Sequence, residues 1–223
     1  MGLILNLETA TTNCSVSLAK DGKLLVLKEN NTPNYSHAEQ LHTFIQECVT
    51  EAQITMGDLE AIAVSKGPGS YTGLRIGVSA AKGLCFALGL PLISIATLES
   101  LAVQVQGAYD YSVPVLDARR MEVYSAVFAG GLQQIRATEA EVVDGNSFGD
   151  YYLNKTTHFI GSGAEKIKAI LHHKNISFSL DAVPSAKEMA VLSHQKYLEK
   201  DFEDVAYFEP YYLKDFVLQT KKK

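Results

Sequence analysis

The chain has 223 residues, of which 47% are hydrophobic and 20% are charged, as in ordinary globular proteins. A chain of this length can bury a core without disulfides or metals, so the composition excludes disordered, collagen-like and coiled-coil proteins. The formal net charge of −5 argues against strong independent RNA binding, which depends on basic groups that neutralise phosphates. A local basic patch is compatible with this charge.

The amino-terminal part of the chain predicts three strands and a helix. The strands are short apolar runs at Leu3–Leu7, Ser15–Ala19 and Leu24–Lys28. The Asp21-Gly22 pair between the second and third runs predicts a hairpin turn. Ser36 and Glu39 then form a capping-box pattern, and apolar side chains recur at helical spacing behind it. These signals predict an amphipathic helix over 37–52.

A glycine-rich segment lies between a predicted strand and a predicted helix. The strand covers Ala61–Lys66, the segment Gly-Pro-Gly-Ser-Tyr-Thr-Gly covers 67–73, and the helix covers 73–88. A further strand at Leu92–Ile95 precedes a helix to Gln106 that Thr97 would cap. The first half is therefore predicted to have the order βββαβαβα.

The second half is predicted to repeat this order after a break at 107–112. Strands are expected at Val113–Asp117, Glu122–Ala129, 135–143, His158–Gly161 and Ile176–Leu180, and helices at Ser147–Leu153, Ala164–His173 and after Ser185. Arg119-Arg120 forms the turn between the first two strands, and Ser185 begins a second capping box. We therefore predict an α/β chain of two similar domains, 1–107 and 108–223. The three lysines of the basic tail, Lys221–Lys223, are most simply solvated.

The glycine-rich turn at 67–73 is the feature with the clearest chemistry. Such a turn, at the carboxyl end of a strand and the start of a helix, presents backbone N–H groups and the positive end of the helix dipole, which suits a phosphate. The spacing fits neither a Walker loop nor a dinucleotide fingerprint, and a tight turn capped by Ser70 or Thr72 is the alternative. Similar turns follow the first strand and the strand at 158–161. We therefore expect at most weak binding of ADP or ATP, at Thr9, Thr11, Gly67, Gly69, Ser70, Gly161 and Gly163.

The helix at 73–88 carries more small residues than a soluble helix needs. A glycine inside a helix costs about 1 kcal/mol relative to alanine, so a close backbone neighbour is expected to offset it. That neighbour could be the chain's own helix at 37–52 or another subunit, and the sequence does not separate the two. If it is a subunit, we expect a partner surface at Gly73, Gly77, Ala80, Ala81, Leu41 and Ile45.

The remaining polar candidates do not assemble into a catalytic or metal set. The three cysteines are odd in number and lack metal or disulfide spacing, and Cys48 and Cys85 are expected to be buried thiols. His37 and His42 are five residues apart and are expected at the surface. Without a signal-peptide pattern or a membrane span, the sequence predicts a cytoplasmic protein with neither a metal nor a resident cofactor.

Three motifs carry a resemblance that covers nearly the whole chain. They are Leu-Glu-Thr-Ala-Thr at 7–11 with Cys-Ser-Val at 14–16, Gly-Pro-Gly-Ser-Tyr-Thr-Gly-Leu-Arg-Ile-Gly at 67–77, and Asp-Ala-Arg at 117–119 with Glu-Val-Tyr at 122–124. The chain thereby resembles the TsaB family, also called YeaZ, which acts in making the threonylcarbamoyl modification of adenosine next to the tRNA anticodon. Family members usually have aspartate where Glu8 stands and often phenylalanine where Tyr71 stands.

The resemblance implies a fold and a loss of chemistry. The implied fold is that of actin, sugar kinases and Hsp70 chaperones, in which two RNase H-like halves enclose a cleft. The related catalytic subunit TsaD has two metal-binding histidines soon after its glycine turn, and Thr97 and Leu101 stand at the matching positions here. Neither side chain can replace imidazole as a metal ligand. The family was once labelled a glycoprotease, but nothing in this sequence supports a proteolytic site.

Two functions compete on this basis. The first is a non-catalytic scaffold that pairs with and activates TsaD through the helices at 37–52 and 73–88. Its further partners would be the ATPase TsaE and tRNA, the latter only through the complex. The second is an ATPase- or kinase-like enzyme that uses its own cleft. The sequence lacks the pair of metal-binding histidines, an assignable general base and complete phosphate loops, and this favours the scaffold. The sequence does not decide whether the chain also forms a homodimer through the same surface.

Overall fold

The computed structural model describes residues 2–33 and 37–214, whose strands form two five-stranded sheets. The first half contains β1 (Leu3–Glu8), β2 (Asn13–Lys20), β3 (Lys23–Asn31), α1 (His37–Glu51), β4 (Ala61–Gly67), α2 (Tyr71–Leu88), β5 (Leu92–Ala96) and α3 (Thr97–Val103). The second half contains β6 (Tyr111–Asp117), β7 (Glu122–Ala129), β8 (Gln133–Val142), α4 (Gly149–Tyr152), β9 (Thr157–Ile160), α5 (Ala164–Ile170), β10 (Ile176–Ser179) and α6 (Ala186–Glu199).

The two sheets have the same topology. Their strand orders are β3-β2-β1-β4-β5 and β8-β7-β6-β9-β10. In each, the first strand is central and pairs antiparallel with the second and parallel with the fourth. This is the RNase H-like arrangement occurring twice, so the predicted fold class and the duplicated βββαβαβα order are confirmed.

Several element ends differ from the sequence-based expectation. The helix α3 begins with Thr97 in its first helical position and is preceded by Ala96 as the capping residue, so Thr97 is not the cap. The helix α5 ends at Ile170 because Leu171 has extended backbone angles. Ser185 accepts a hydrogen bond from Lys187 N at 3.2 Å and caps α6 as predicted. Ser36 and the Lys221–Lys223 tail lie outside the described residues.

The first sheet is covered on both faces. Alternate residues of its strands pack against α1 and α2 on one face, while residues such as Ile4 and Ile93 pack against Met189 of α6 on the other. Because α6 follows the second sheet in the chain, packing crosses the predicted boundary at 107/108. The division of the chain into two domains stays a prediction.

The burial of the cysteine and histidine side chains agrees with one sequence-based expectation and corrects another. Cys48 and Cys85 are buried free thiols, as predicted. His37, expected at the surface, is instead buried, because its Nε2 lies 2.8 Å from the Thr11 carbonyl oxygen of the turn after β1. His42 is exposed.

Within the described ranges, no helix is both long enough and apolar enough to cross a membrane.

The helix α2 lies directly against the turn between β1 and β2. Thr9 Oγ1 donates a hydrogen bond to the Gly73 carbonyl at 2.8 Å. A Cβ atom on Gly73 would fall on the Thr9 carbonyl oxygen, and one on Gly77 would fall on Thr9 Oγ1, both well inside the 3.0 Å that real Cβ atoms observe. The closest neighbour of these two glycines is therefore the β1–β2 turn of the same chain. Helix α1 also contributes a contact at Gly73, where His37 Cδ2 lies 3.4 Å from the Cβ position.

A buried carboxylate ends β1 just before this turn. Glu8 is fully buried, and its Oε1 accepts hydrogen bonds from Ala10 N at 2.6 Å and Ser65 Oγ at 2.9 Å. Its Oε2 has no hydrogen-bond partner in the part of the chain that the structure describes. Burial raises the pKa of Glu8 from 4.5 to about 7, against the lowering effect of these hydrogen bonds.

The contact between Thr9 and α2 predicts a double-mutant cycle. Gly77→Ala should lower the free energy of unfolding by about 1–3 kcal/mol, because the new methyl group overlaps Thr9 Oγ1. Thr9→Ala removes the obstructing atoms, so Gly77→Ala should cost less in that background. Urea unfolding of the four proteins measures both effects.

Gly83 provides the matched control within the same helix. Nothing lies within 4 Å of a Cβ built on Gly83, so Gly83→Ala should stabilise the chain by about 0.5–1 kcal/mol through helix propensity alone. Equal responses to alanine at positions 77 and 83 would contradict the proposed close approach.

Glu8 predicts a pH dependence of stability. The pKa of Glu8 is about 7 in the folded chain, compared with 4.5 for an unperturbed glutamate. Between these two pH values, the folded chain therefore keeps a proton that the unfolded chain has lost. The stabilising effect is complete below pH 4.5 and is lost as the pH rises through about 7, an effect of about 3 kcal/mol. Glu8→Gln should remove this dependence, whereas Glu47→Gln, at an exposed position of α1, should keep it. Parallel profiles for wild type and Glu8→Gln would contradict the assignment.

Candidate functional site

A cleft of about 1060 Å³ lies between the two sheets, where the turns after their central strands face each other. The turn after β1 contributes Ala10, Thr11 and Thr12, the turn after β4 contributes residues 68–72, and the turn after β6 contributes residues 116–120. Segments 182–184 and 211–214, together with Glu122, Tyr124 and Ser162, complete the lining. Ligands of open α/β folds characteristically bind at such strand ends.

The glycine-rich turn after β4 binds the chain's own carbonyl groups. Ser70 N donates to the Ala10 carbonyl at 2.7 Å, and a Cβ on Gly69 would fall on that same oxygen. Ser70 Oγ accepts a hydrogen bond from Gly73 N at 3.2 Å and caps α2. The glycine at 69 therefore admits a backbone carbonyl, and the structural alternative of a Ser70-capped turn is confirmed.

The turn after β9 repeats this arrangement in the second half. Gly161 has a φ of 112°, and its hypothetical Cβ would lie 2.5 Å from the Val115 carbonyl oxygen. Gly163 N donates to the same oxygen at 3.1 Å, and Ser162 Oγ accepts from Asp117 N at 3.2 Å. In both halves, a carbonyl oxygen near the end of the central strand accepts a backbone N–H group that was expected to bind a phosphate.

The predicted nucleotide-binding residues are only partly brought together. Thr11, Gly69 and Ser70 line the cleft. The other four, Thr9, Gly67, Gly161 and Gly163, are buried behind its wall. Nucleotide binding stays a prediction, and the carbonyl groups in both turns support the expectation that it is weak.

The turn after β6 concentrates charged side chains at the cleft. The Asp117 carboxylate accepts hydrogen bonds from Arg119 N at 2.6 Å and Lys166 Nζ at 2.8 Å. Glu122 forms an ion pair with Lys214. Both carboxylates thus have basic partners, which fits turn residues better than catalytic acids or bases.

A C-terminal strap, residues 200–214, was not foreseen from the sequence. It starts along the edge of the first sheet, where Glu203 N donates to the Leu92 carbonyl at 2.8 Å. It then follows α2, where Lys82 Nζ donates to the Phe208 carbonyl at 2.9 Å, and reaches the cleft at Tyr211, whose N–H donates to the Lys66 carbonyl at 2.7 Å. Its aromatic side chains were visible in the sequence, but no local pattern indicated these distant contacts.

The strap also joins the cleft to the outer surface of α2. The rings of Tyr212 and Tyr71 lie 5.0 Å apart, and Arg75 Nε donates to Tyr212 Oη at 3.2 Å. The Arg75 guanidinium lies 4.0 Å from the centre of the Tyr71 ring. Tyr71 and its neighbour Thr72 line the cleft and also a groove between α1 and α2.

That groove has a volume of about 720 Å³ and is lined by small and apolar side chains together with a few polar ones. Its lining consists of Ala38, His42, Tyr71, Thr72, Arg75, Ile76, Ser79, Ala80, Gly83 and Leu84. Phe86, one turn beyond Lys82 on α2, is 87% exposed. The outer surface of α1 and α2 is therefore an open, partly apolar groove.

The structure corrects the residues assigned to a partner surface. Among the six predicted positions, Leu41, Ile45, Gly73, Gly77 and Ala81 are buried inside the chain. They pack towards the first sheet and its β1–β2 turn, so they are not available to a second protein. Ala80 lies in the groove. Helical periodicity predicted both helices, but five of the six assigned positions are buried on their inner faces.

The positions compared with the metal-binding histidines of TsaD lie inside the protein. Thr97 and Leu101 are both buried in α3. Among the described residues, no group of three or more histidine, cysteine or acidic side chains could hold a metal ion. Cys14 is buried, and burial raises the pKa of its thiol to about 11, so it is not a thiolate nucleophile at neutral pH.

Comparisons with known proteins match both the sequence and the fold. A family model described as "TsaD: tRNA N6-adenosine threonylcarbamoyltransferase" matches residues 32–222. An uncharacterized protein of Mycobacterium tuberculosis is 35% identical over 133 residues, and the chain spans 62% of the length of that relative. The tRNA threonylcarbamoyladenosine biosynthesis protein TsaB of Escherichia coli is 30% identical over 232 residues, which cover 98% of this chain and 97% of that protein.

Solved structures share the fold over nearly the whole chain. YeaZ from Pseudomonas aeruginosa has a TM-score of 0.82 at 24% identity and covers 96% of this chain and 100% of its own. A second Pseudomonas aeruginosa structure, described as an uncharacterized protein with similarity to peptidase YeaZ, has a TM-score of 0.86 at 23% identity with the same coverage. The full-length match to Escherichia coli TsaB and the family model over residues 32–222 lead to one conclusion: the chain belongs to the TsaB family, also called YeaZ.

Proposed function

We propose that this chain is a non-catalytic subunit in the biosynthesis of tRNA threonylcarbamoyladenosine, where it pairs with TsaD and activates it. The names of the relatives supply the process. The groove between α1 and α2 carries the pairing part of the proposal, because it is the open, partly apolar surface of the first half. TsaE would be a further partner of the assembled pair.

The geometry of the groove supports a helical partner. Ala80 and Gly83 line it. Because alanine has only a methyl group and glycine has no side chain, they leave room for another backbone to approach closely. Phe86 on the same helix is 87% exposed, and large exposed aromatic groups are typical of interaction surfaces. A second copy of this chain would fit the same surface, so a homodimer and the TsaD pair would compete for it.

The cleft supports the non-catalytic part of the proposal. Asp117 and Glu122, the acidic residues of its lining, are each bound to a lysine, and the turns that would hold nucleotide phosphates bind the chain's own carbonyls. Activation would therefore come from binding and orienting TsaD, and the cleft of this chain would not perform the transfer.

Two arginines placed in the groove should prevent pairing. Ser79 and Gly83 are exposed on α2 and line the groove, so Ser79→Arg with Gly83→Arg should fold normally yet fill it with bulk and unpaired charge. We expect an affinity for TsaD at least about tenfold lower, since buried unpaired charge at an interface is costly. Co-purification and calorimetry measure it, with circular dichroism as the folding control.

Val191→Arg is the matched substitution on α6. Val191 is 48% exposed on the helix that covers the opposite face of the first sheet, so this variant should bind TsaD normally. Normal pairing by the double variant, or equal loss by Val191→Arg, would place the interface elsewhere.

Activity assays separate a subunit from an enzyme. The isolated chain, supplemented with divalent metals, should show no peptidase, ATPase or threonylcarbamoyl-transfer turnover. Adding it to TsaD with TsaE should raise transfer to tRNA, and the groove variant should not. Turnover by the isolated chain that disappears in Asp117→Asn would instead support an enzyme that uses its own cleft.

A further inference from the structure

The turn between β6 and β7 holds two arginines in a conformation that is unfavourable for them. Arg119 and Arg120 have φ angles of 69° and 51°, in the left-handed region that glycine, asparagine and aspartate normally occupy. Strained residues of this kind persist where the surrounding structure fixes them, and they cluster at functional sites. The two arginines therefore mark a candidate ligand site at this turn.

Hydrogen bonds fix the turn at both ends. The Asp117 carboxylate accepts from Arg119 N at 2.6 Å, and Lys166 Nζ bridges Asp117 Oδ1 at 2.8 Å and the Glu122 carbonyl at 3.0 Å. The Glu122 carboxylate is paired with Lys214. Because both flanking carboxylates are bound to lysines, neither neutralises the two arginines.

The two guanidinium groups are available to a ligand. Both arginines are exposed and line the cleft. Within residues 2–33 and 37–214, neither side chain takes part in a hydrogen bond or an ion pair. In a chain with a net charge of −5, this pair is a local basic patch, and its complement is an anion.

The rest of the cleft adds aromatic rings to this charge. Tyr71, Tyr124, Tyr211 and Tyr212 line it together with the two arginines. Cations that bind phosphates, next to aromatic rings that stack on bases, are the usual combination in proteins that bind single-stranded nucleic acids.

The backbone around the cleft favours a strand over a free nucleotide. Carbonyl oxygens of Ala10 and Val115 accept the N–H groups of Ser70 and Gly163, so these two N–H groups are not free to bind a small phosphate group. The arginines are exposed instead of enclosed, which suits a polyanion that crosses the cleft. We propose that Arg119 and Arg120 bind phosphates of a single-stranded segment of the RNA substrate, whose bases stack on the cleft tyrosines. The proposal rests on the proposed function, which supplies RNA as the substrate.

Paired substitutions at the turn test this proposal. Arg119→Ala with Arg120→Ala removes both charges, while Arg119→Lys with Arg120→Lys keeps them. Arg119→Asn with Arg120→Gly removes the charges and also relieves the left-handed backbone, so this variant should be at least as thermally stable as wild type. The control is Lys20→Ala with Lys23→Ala, which makes the same charge change at the exposed β2–β3 hairpin at the opposite end of the strands.

The measurement is the salt dependence of RNA affinity by fluorescence anisotropy. One arm uses the complex with TsaD and an unmodified tRNA transcript, and the other uses this chain alone with a short single-stranded RNA at low salt. The alanine and asparagine–glycine pairs should reduce the slope of log affinity against log salt by about 1.4, at about 0.7 for each single-strand phosphate contact, and lower affinity by about tenfold. The lysine pair should keep most of the slope, and the Lys20/Lys23 control should lower it less.

The outcomes separate this proposal from the proposed function. If wild type does not pair with TsaD, the proposed function fails, and the arm with the chain alone still decides about the turn. Unchanged slopes in both charge-removing pairs would overturn the RNA contact, as would an equal loss in the Lys20/Lys23 control. Binding of ADP that requires the arginines, with RNA binding unaffected, would identify a free nucleotide as the ligand instead.

Discussion

The approach of the β1–β2 turn to helix α2 is the contact on which the rest of the molecule depends. Thr9 donates to the Gly73 carbonyl from the end of the central strand, and the absence of side chains at Gly73 and Gly77 makes room for it. This contact sets the position of α2 over the first sheet. It thereby fixes the two parts of α2 that contribute to candidate sites. These are the amino-terminal end, which lies at the cleft, and the outer face, which lines the groove.

The same contact gives the glycine-rich motif a packing role that the isolated sequence pattern does not reveal. Glycines at the end of a strand and the start of a helix are typical of phosphate sites. Here, however, the Ala10 carbonyl fills the space at Gly69, and the Val115 carbonyl fills the space at Gly161 and accepts the N–H of Gly163. In both halves, glycines of these turns make room for packing against the chain's own backbone. Glu8, buried at the base of the first turn with one oxygen that has no hydrogen-bond partner among the described residues, is part of that same packed arrangement.

The structural features that were predicted correctly from the sequence are those that depend on local residue patterns. The strands, the amphipathic α1, the hairpin at Asp21-Gly22 and the duplicated order all follow from patterns within about 20 residues, and the structure agrees with them. The sequence could not predict which neighbour the small residues of α2 admit, because that neighbour, Thr9, is distant in the chain. For the same reason, Leu41 and Gly77 were assigned to a partner although they face the chain's own sheet. The left-handed arginines carry no sequence signal either, since arginine is not a residue type that indicates this conformation.

The strap has a consequence for the solubility of the first sheet. The strand β5 is the last one in that sheet, and an uncovered edge strand is a template for pairing with other chains. Glu203 bridges to Leu92 on that edge, and its carboxylate accepts a hydrogen bond from Ser94 Oγ at 2.5 Å. Residues of the strap therefore act as a cover against intermolecular strand addition. Proteolytic nicking just after α6 would therefore weaken this cover and favour edge-to-edge pairing through the apolar residues Leu92 to Ile95.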